Sequence, residues 1–295
     1  MSGWRITSPC GPGCLPRPGT TPRASLPLQL ARYAGVLAML TLSVPLALTL
    51  PLAGPSIRTW VIRSWLRGLL LLLGVRHRVT GDPRLARGRT LVVANHVSWL
   101  DIPALAVIQP LPILAKREVA SWPLVGTLAR LAGTLYIDRN RLRPLPGTVG
   151  QLAQVLSSGG SLVVFPGGTT LCGRTPGRFR HATFQAAVDT GAVVRPVAIT
   201  YRLLDGRPST IAAYVGDDSL LASLHRVIAT KGLVVEVAVL PPIEATGLDR
   251  RTLTQRAAAA VARADAGQAN GSGSSGTRSR STLAPSAASC GTKSG

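Results

Sequence analysis

Between Val79 and Leu240, short apolar runs alternate with stretches of helical period, and this alternation constrains the fold more than any other feature of the chain. A continuous apolar run bounded by Gly, Pro or charge reads as a strand buried on both faces. Strands are expected at Thr90–Ala94, Ile113–Ala115, Thr134–Ile137, Ser161–Phe165, Val193–Tyr201, Ile211–Val215 and Leu233–Leu240. Helices are expected at Asp101–Ile108, Ser121–Leu131, Thr148–Ser157, His181–Thr190, Leu220–Ala229 and Asp249–Arg263. The pattern predicts an α/β fold: a mixed, largely parallel sheet flanked by helices. In such sheets the ligand crevice lies at the carboxyl ends of the strands.

Ahead of this pattern the chain changes character. Residues 1–26 are rich in Pro, Gly and Arg and read as a disordered basic tail. Residues 27–78 read as an N-terminal membrane-anchoring helical segment. No charge lies between Arg32 and Arg58, and the apolar stretch Tyr33–Pro55 is long enough to cross a bilayer. Pro45, Pro51 and Pro55 interrupt it, so a kinked or re-entrant helix fits as well as a straight span. Ser56–Val75 follows, with Arg58, Arg63 and Arg67 among Trp60, Trp65 and a leucine run, the pattern of a helix lying among headgroups. Arginines on both sides leave the orientation open. A hairpin with both ends in the cytosol satisfies both clusters. The main domain is expected at 79–263, and 264–295 reads as a disordered Gly/Ser-rich tail.

Charge narrows the partners. Lys+Arg total 33 against 12 Asp+Glu, a net charge of +21, and only Lys116, Lys231 and Lys293 are lysines. Such excess suits nucleic acid, an anionic membrane surface or phosphate-bearing substrates. Aromatic residues make up only 4% and do not interleave with a basic stripe, so no nucleic-acid partner is expected. The cysteines are Cys10, Cys14, Cys172 and Cys290. Cys10 and Cys14 flank Gly-Pro-Gly in the tail, with no His or second Cys pair nearby to complete a metal site, so no metal is expected.

Three polar clusters close apolar strands. In the first, Leu91-Val92-Val93-Ala94 ends at Asn95-His96, and a helix is expected to open at Asp101. Five residues apart, His96 and Asp101 do not share a helix face, but across a strand–turn–helix they converge. An imidazole exchanges its proton near neutral pH. A carboxylate on its other nitrogen fixes the tautomer and stabilises the imidazolium. No Ser or Cys is needed if the substrate's hydroxyl is the nucleophile. The second cluster is Tyr136-Ile137-Asp138-Arg139, whose guanidinium suits bidentate contact with phosphate. The third is Phe165-Pro166-Gly167-Gly168-Thr169-Thr170, a glycine-rich turn whose amides can approach a phosphate.

Asn95-His96-x-x-x-x-Asp101, the Asp138-Arg139 block, Phe165-Pro166-Gly167-Gly168-Thr169 and the strand Val194-Arg195-Pro196-Val197 resemble, in order, the signatures of the glycerolipid acyltransferases. These are the family that includes 1-acylglycerol-3-phosphate acyltransferases. The resemblance spans about Val79 to Leu240. It implies transfer of an acyl group from acyl-CoA or acyl carrier protein to a lysophospholipid hydroxyl, most simply 1-acylglycerol-3-phosphate, with no further cofactor. It implies His96 and Asp101 as the catalytic pair, and Asn95, Lys116, Arg139, Gly168 and Thr169 as substrate contacts. It also implies a phospholipid-membrane enzyme of the cell membrane with its site on the cytoplasmic side. One position departs: the family glutamate of the third block is Gly167 here. That opens other acceptors, such as a lyso-ornithine lipid or glycerol 3-phosphate, and also a catalytically silent member.

Overall fold

A computed structural model describes residues 8–17, 19–116, 120–121, 126, 134–137, 145–174, 177–216 and 218–270. Helix α1 (Leu26–Thr49) and helix α2 (Pro55–Leu72) form an N-terminal hairpin. Strands β1 (Val75–Gly81) and β2 (Thr90–Ala94) lead to helix α3 (Asp101–Ile108). Strands β3 (Leu114–Lys116) and β4 (Leu135–Ile137), helix α4 (Leu145–Ser157), strand β5 (Ser161–Val164) and helix α5 (Phe184–Thr190) follow. Strand β6 (Val193–Leu203), helix α6 (Leu220–Ala229), strand β7 (Leu233–Val239) and helix α7 (Arg250–Asn270) complete the order.

The main sheet runs β1-β7-β6-β2-β5. Only the β6–β7 pairing is antiparallel; β1–β7, β2–β6 and β2–β5 are parallel. The expected mixed, largely parallel sheet is thus present. The β3–β4 pair extends it through a bridge from Ile113 to Val163 of β5.

β2 is buried from end to end, and its alternation divides the core. Val92 and Ala94 pack with Leu70, Leu100 and Leu105 on the face covered by α2 and α3. Leu91 and Val93 pack with Leu152, Phe184 and Leu253 on the face covered by α4, α5 and α7. A leucine lost from either layer costs about 2–5 kcal/mol. β6 matches β2 from Val193 to Val197 and then runs on to Leu203, so its second half flanks whatever follows Ala94.

The N-terminal hairpin is fastened at its root. Arg32 of α1 is buried and donates to the carbonyls of Ile228 and Thr230, at 2.6 and 2.8 Å. Gly74, just after α2, has φ +73 and lies against that guanidinium; a Cβ there would fall 2.0 Å from it. Gly35 and Gly68 let the two helices close on Leu72 and Met39. Leu26–Leu52 is long and apolar enough to cross a membrane, and Leu37, Leu42 and Leu48 are exposed.

Several boundaries differ from the sequence reading. The sheet begins at Val75, inside the segment assigned to the anchor, because Arg76 and Arg78 sit on an edge strand and mask its apolar positions. Ile211–Val215 is no strand. It is a buried loop, with the Tyr214 amide donating to the Val97 carbonyl; an apolar run reports burial, not extension. Residues 8–26 pack on the domain rather than forming a loose tail: Ser8 reaches the Thr170 carbonyl, the Ala24 amide donates to Ala229, and Arg23 bridges Thr230. α7 continues past Arg263 to Asn270. Most of the expected helix Ser121–Leu131 lies outside the described residues, as does the tail beyond 270.

Candidate active site

β2 ends at Ala94, and the next residues turn out of the sheet beside the overhanging half of β6. Asn95 fixes this exit. Its amide donates to the Ile199 carbonyl and accepts from the Ile199 amide, both at 2.8 Å. Asn95 also lines the cavity beside His96, while its amide holds the β2–β6 junction.

His96 and Asp101 do converge. His96 Nδ1 lies 2.7 Å from Asp101 Oδ2. The same oxygen accepts the amides of Val97 and Ser98 at 2.7 and 2.9 Å, so the turn folds around the carboxylate. Asp101 is fully buried in the first turn of α3, where the helix dipole favours negative charge. Its other oxygen accepts the Tyr201 hydroxyl at 2.6 Å. A carboxylate with four donors is held in a single rotamer. It holds His96 through Nδ1. Burial, then the Asp101 charge, pushes the Tyr201 phenol well above its ordinary range, so it stays a donor.

The His96 ring stacks on Phe165, centroids 4.0 Å apart and 14° from parallel. Its backbone is held as well: the Leu171 amide donates to the His96 carbonyl at 2.9 Å. Asn95, His96, Gly167 and Thr169 face Ala258, Val261 and Asp265 of α7 across a cavity of about 30 Å³. That is room for water, not for a lipid headgroup. Burial raises the Asp265 carboxyl above its usual range, with Arg202 opposing.

The third block forms a tight turn. The Gly168 amide donates to the Phe165 carbonyl at 3.1 Å, and Gly168 takes φ +78. The Gly168 amide closes the turn, and Thr169 lines the cavity. Arg174, Arg178 and Arg180 are exposed in the loop beyond. The backbone of Lys116 ends β3, but its side chain, and the whole of Arg139, lie outside the described residues.

Tyr201, Phe165 as a ring partner, and Asp265 escaped the sequence reading. Tyr201 stands only four residues beyond the fourth block, but a tyrosine in an apolar strand carries no mark that separates it from core.

Comparison with known proteins identifies the family. A family model for the acyltransferase domain matches residues 76–200. A lyso-ornithine lipid O-acyltransferase from Pseudomonas aeruginosa is 40% identical over 248 residues, covering 81% of this chain and 93% of that protein. A 1-acyl-sn-glycerol-3-phosphate acyltransferase from Neisseria meningitidis is 33% identical over 183 residues, 62% of this chain and 71% of that one. The crystal structure of the 1-acyl-sn-glycerophosphate acyltransferase PlsC from Thermotoga maritima superposes with a TM-score of 0.62 at 20% identity, over 82% of this chain and 95% of that one. That last likeness speaks for the fold alone. With the matched domain enclosing His96, Asp101 and the turn at Phe165, and a relative aligned over nearly its whole length, the chain belongs to the acyltransferase family and is an O-acyltransferase of lipid synthesis.

Proposed function

We propose that this enzyme moves an acyl group from a thioester donor, acyl-CoA or acyl carrier protein, to the free hydroxyl of a lyso-ornithine lipid. The His96–Asp101 pair, 2.7 Å apart beside a cavity with its carboxylate buried, is the observation that carries the chemistry. His96 Nε2 takes the hydroxyl proton as the oxygen attacks the thioester carbonyl. The tetrahedral intermediate collapses, the C–S bond breaks, and the imidazolium returns its proton to the departing thiolate. The products are the doubly acylated lipid and a free thiol. Asp101, held by Val97, Ser98 and Tyr201, orients His96 and balances its charge. Such positioning supplies several kcal/mol of barrier reduction.

Two observations favour the ornithine acceptor. The relative from Pseudomonas aeruginosa carries that activity and aligns over 93% of its length. In addition, Asp265 places a carboxyl on the cavity wall, which suits the amine of an ornithine headgroup. The alternative acceptor, 1-acylglycerol-3-phosphate, rests on the Neisseria meningitidis relative and calls for Arg139, with Lys116, to hold its phosphate. In either case the α7 wall moves aside to admit the headgroup. The α1–α2 hairpin holds the enzyme in the cell membrane, with the site facing the cytoplasm where thioester donors are made.

The test is labelled acyl transfer by the full chain in lipid nanodiscs, with each donor and both acceptors. We expect acylated ornithine lipid in excess. Product from 1-acylglycerol-3-phosphate alone moves the enzyme to that acceptor. Absence of thiol release with either acceptor overturns the reading.

A further inference from the structure

Three of the four cysteines meet at one buried point, Cys172 arriving from a segment remote in sequence from Cys10 and Cys14. The Sγ atoms of Cys10, Cys14 and Cys172 all lie within 4.8 Å of one another. Their exposures are 7%, 1% and 3%, so none is an incidental surface thiol. Cys10 and Cys14 bracket Gly-Pro-Gly, and the short 3₁₀ turn Pro12–Cys14 brings their side chains to one side. Three intervening residues fall within the spacing of paired thiolate ligands in structural metal sites. The Cys172 amide donates to Cys10 Sγ at 3.3 Å, which ties the two segments together at the cluster.

We propose that Cys10, Cys14 and Cys172 form a binding site for one thiophilic d¹⁰ cation, Zn²⁺ or Cu⁺, which clamps the segment ahead of the membrane helix onto the active-site loop. Zinc–sulfur bonds of about 2.3 Å at tetrahedral angles require sulfurs about 3.8 Å apart. The three sulfurs need close by no more than about 1 Å to reach that spacing. A disulfide would use two of these sulfurs and strand the third, whereas a metal ion uses all three. Among the described residues no fourth His, Cys, Asp or Glu joins them. Cu⁺ is content with three thiolates, and Zn²⁺ completes its tetrahedron with water. Binding exchanges three thiol protons for the cation.

The clamp bears on catalysis through one short path. Cys172 follows Leu171, whose amide holds the His96 carbonyl. Ser8, two residues before Cys10, donates to the Thr170 carbonyl at 2.8 Å, and the Thr170 hydroxyl donates to Tyr214. Loading the site therefore stiffens the strap that carries His96. The proposal does not depend on which acceptor the enzyme uses, and its test reads metal directly.

The experiment uses the full-length, reduced Cys290→Ser chain in detergent, so that only the three clustered thiols remain. It is titrated anaerobically with Zn²⁺, Cd²⁺ as a spectroscopic surrogate, and Cu⁺. One ion per chain by native mass spectrometry, with a thiolate-to-metal charge-transfer band and a raised melting temperature, is expected; the separate arms tell which ion is preferred. Cys14→Ser and Cys172→Ser should each weaken binding about 100-fold or more, the loss of one thiolate bond of three. Their metal-free circular dichroism should match the parent. Should either variant fail to fold, X-ray absorption of the loaded parent decides, with three sulfurs around the metal expected. No bound ion in the reduced parent, undiminished binding in the variants, or a shell without three sulfurs overturns the proposal.

Discussion

Tyr201 donates a hydrogen bond to Asp101 across 2.6 Å, from a strand one hundred residues downstream of the carboxylate it holds. The overhang of β6 beyond β2 makes the contact possible. It converts a local His–Asp pair into a triad-like arrangement whose third member is a buried phenol with its pKa raised, burial first and the Asp101 charge second. Removing the hydroxyl leaves a carboxylate oxygen without its donor, and hydrogen bonds to charged groups are worth about 1.5–3 kcal/mol. Tyr201→Phe should therefore lower kcat by about 10- to 100-fold with little change in KM. Equal loss in both, or none in either, would remove the positioning role.

The same phenol gives a pH signature. Its folded-state pKa lies above the unfolded value, so its stabilising contribution is complete below about pH 10 and is lost as pH rises beyond that. Denaturant midpoints measured from pH 8 upward should fall on the alkaline side. Tyr201→Phe should flatten that fall.

His96→Ala should reduce transfer by about 10²–10⁴-fold, the usual worth of a general base. Membrane association should persist, since the α1–α2 hairpin is untouched. Asp101→Asn should be comparably severe, because an amide cannot accept from both His96 and the turn amides while keeping Tyr201 as donor. Initial rates at saturating donor check both.

Neighbouring glycines of the third block should behave oppositely. A Cβ at Gly167 meets nothing nearer than 3.8 Å, and the backbone there is not left-handed, so Gly167→Glu should fold with an unchanged melting temperature. It restores the carboxylate of the family block and should raise use of 1-acylglycerol-3-phosphate relative to lyso-ornithine lipid. Gly168→Ala, at φ +78, should instead cost about 1–2 kcal/mol of stability. Paired melting curves and a competition assay with both acceptors separate the two effects.

Asp265→Asn keeps the shape of the cavity wall and deletes its charge. It should raise KM for lyso-ornithine lipid while leaving the donor KM alone. An identical change for a phosphate-bearing acceptor would deny Asp265 its part in choosing the headgroup.

Much of the fold is legible in the sequence because its central strands are short, apolar and punctuated. Thr90–Ala94, Asp101–Ile108 and Leu220–Ala229 fall where the pattern places them. β1 hides because an edge strand carries solvent-facing arginines, and Ile211–Val215 misleads because a buried loop has the composition of a strand. The His96–Asp101 pair is readable since both lie in one turn. Tyr201, Asp265 and the cysteine cluster are not, since each arrives from a remote segment and only the folded chain sets them side by side. The amino-terminal segment is not legible either, because Pro12 and Gly13 serve a tight turn that buries Cys14.

The Arg32 clamp has a mechanical result. A helix joined to its enzyme by a slack tether would let the globular part tumble freely against the bilayer. Here the guanidinium grips two carbonyls of the catalytic body, and Gly74 leaves no slack around it. Any tilt of α1 is passed to the sheet through this contact. The cavity beside His96 thus keeps a fixed place relative to the root of the apolar helix.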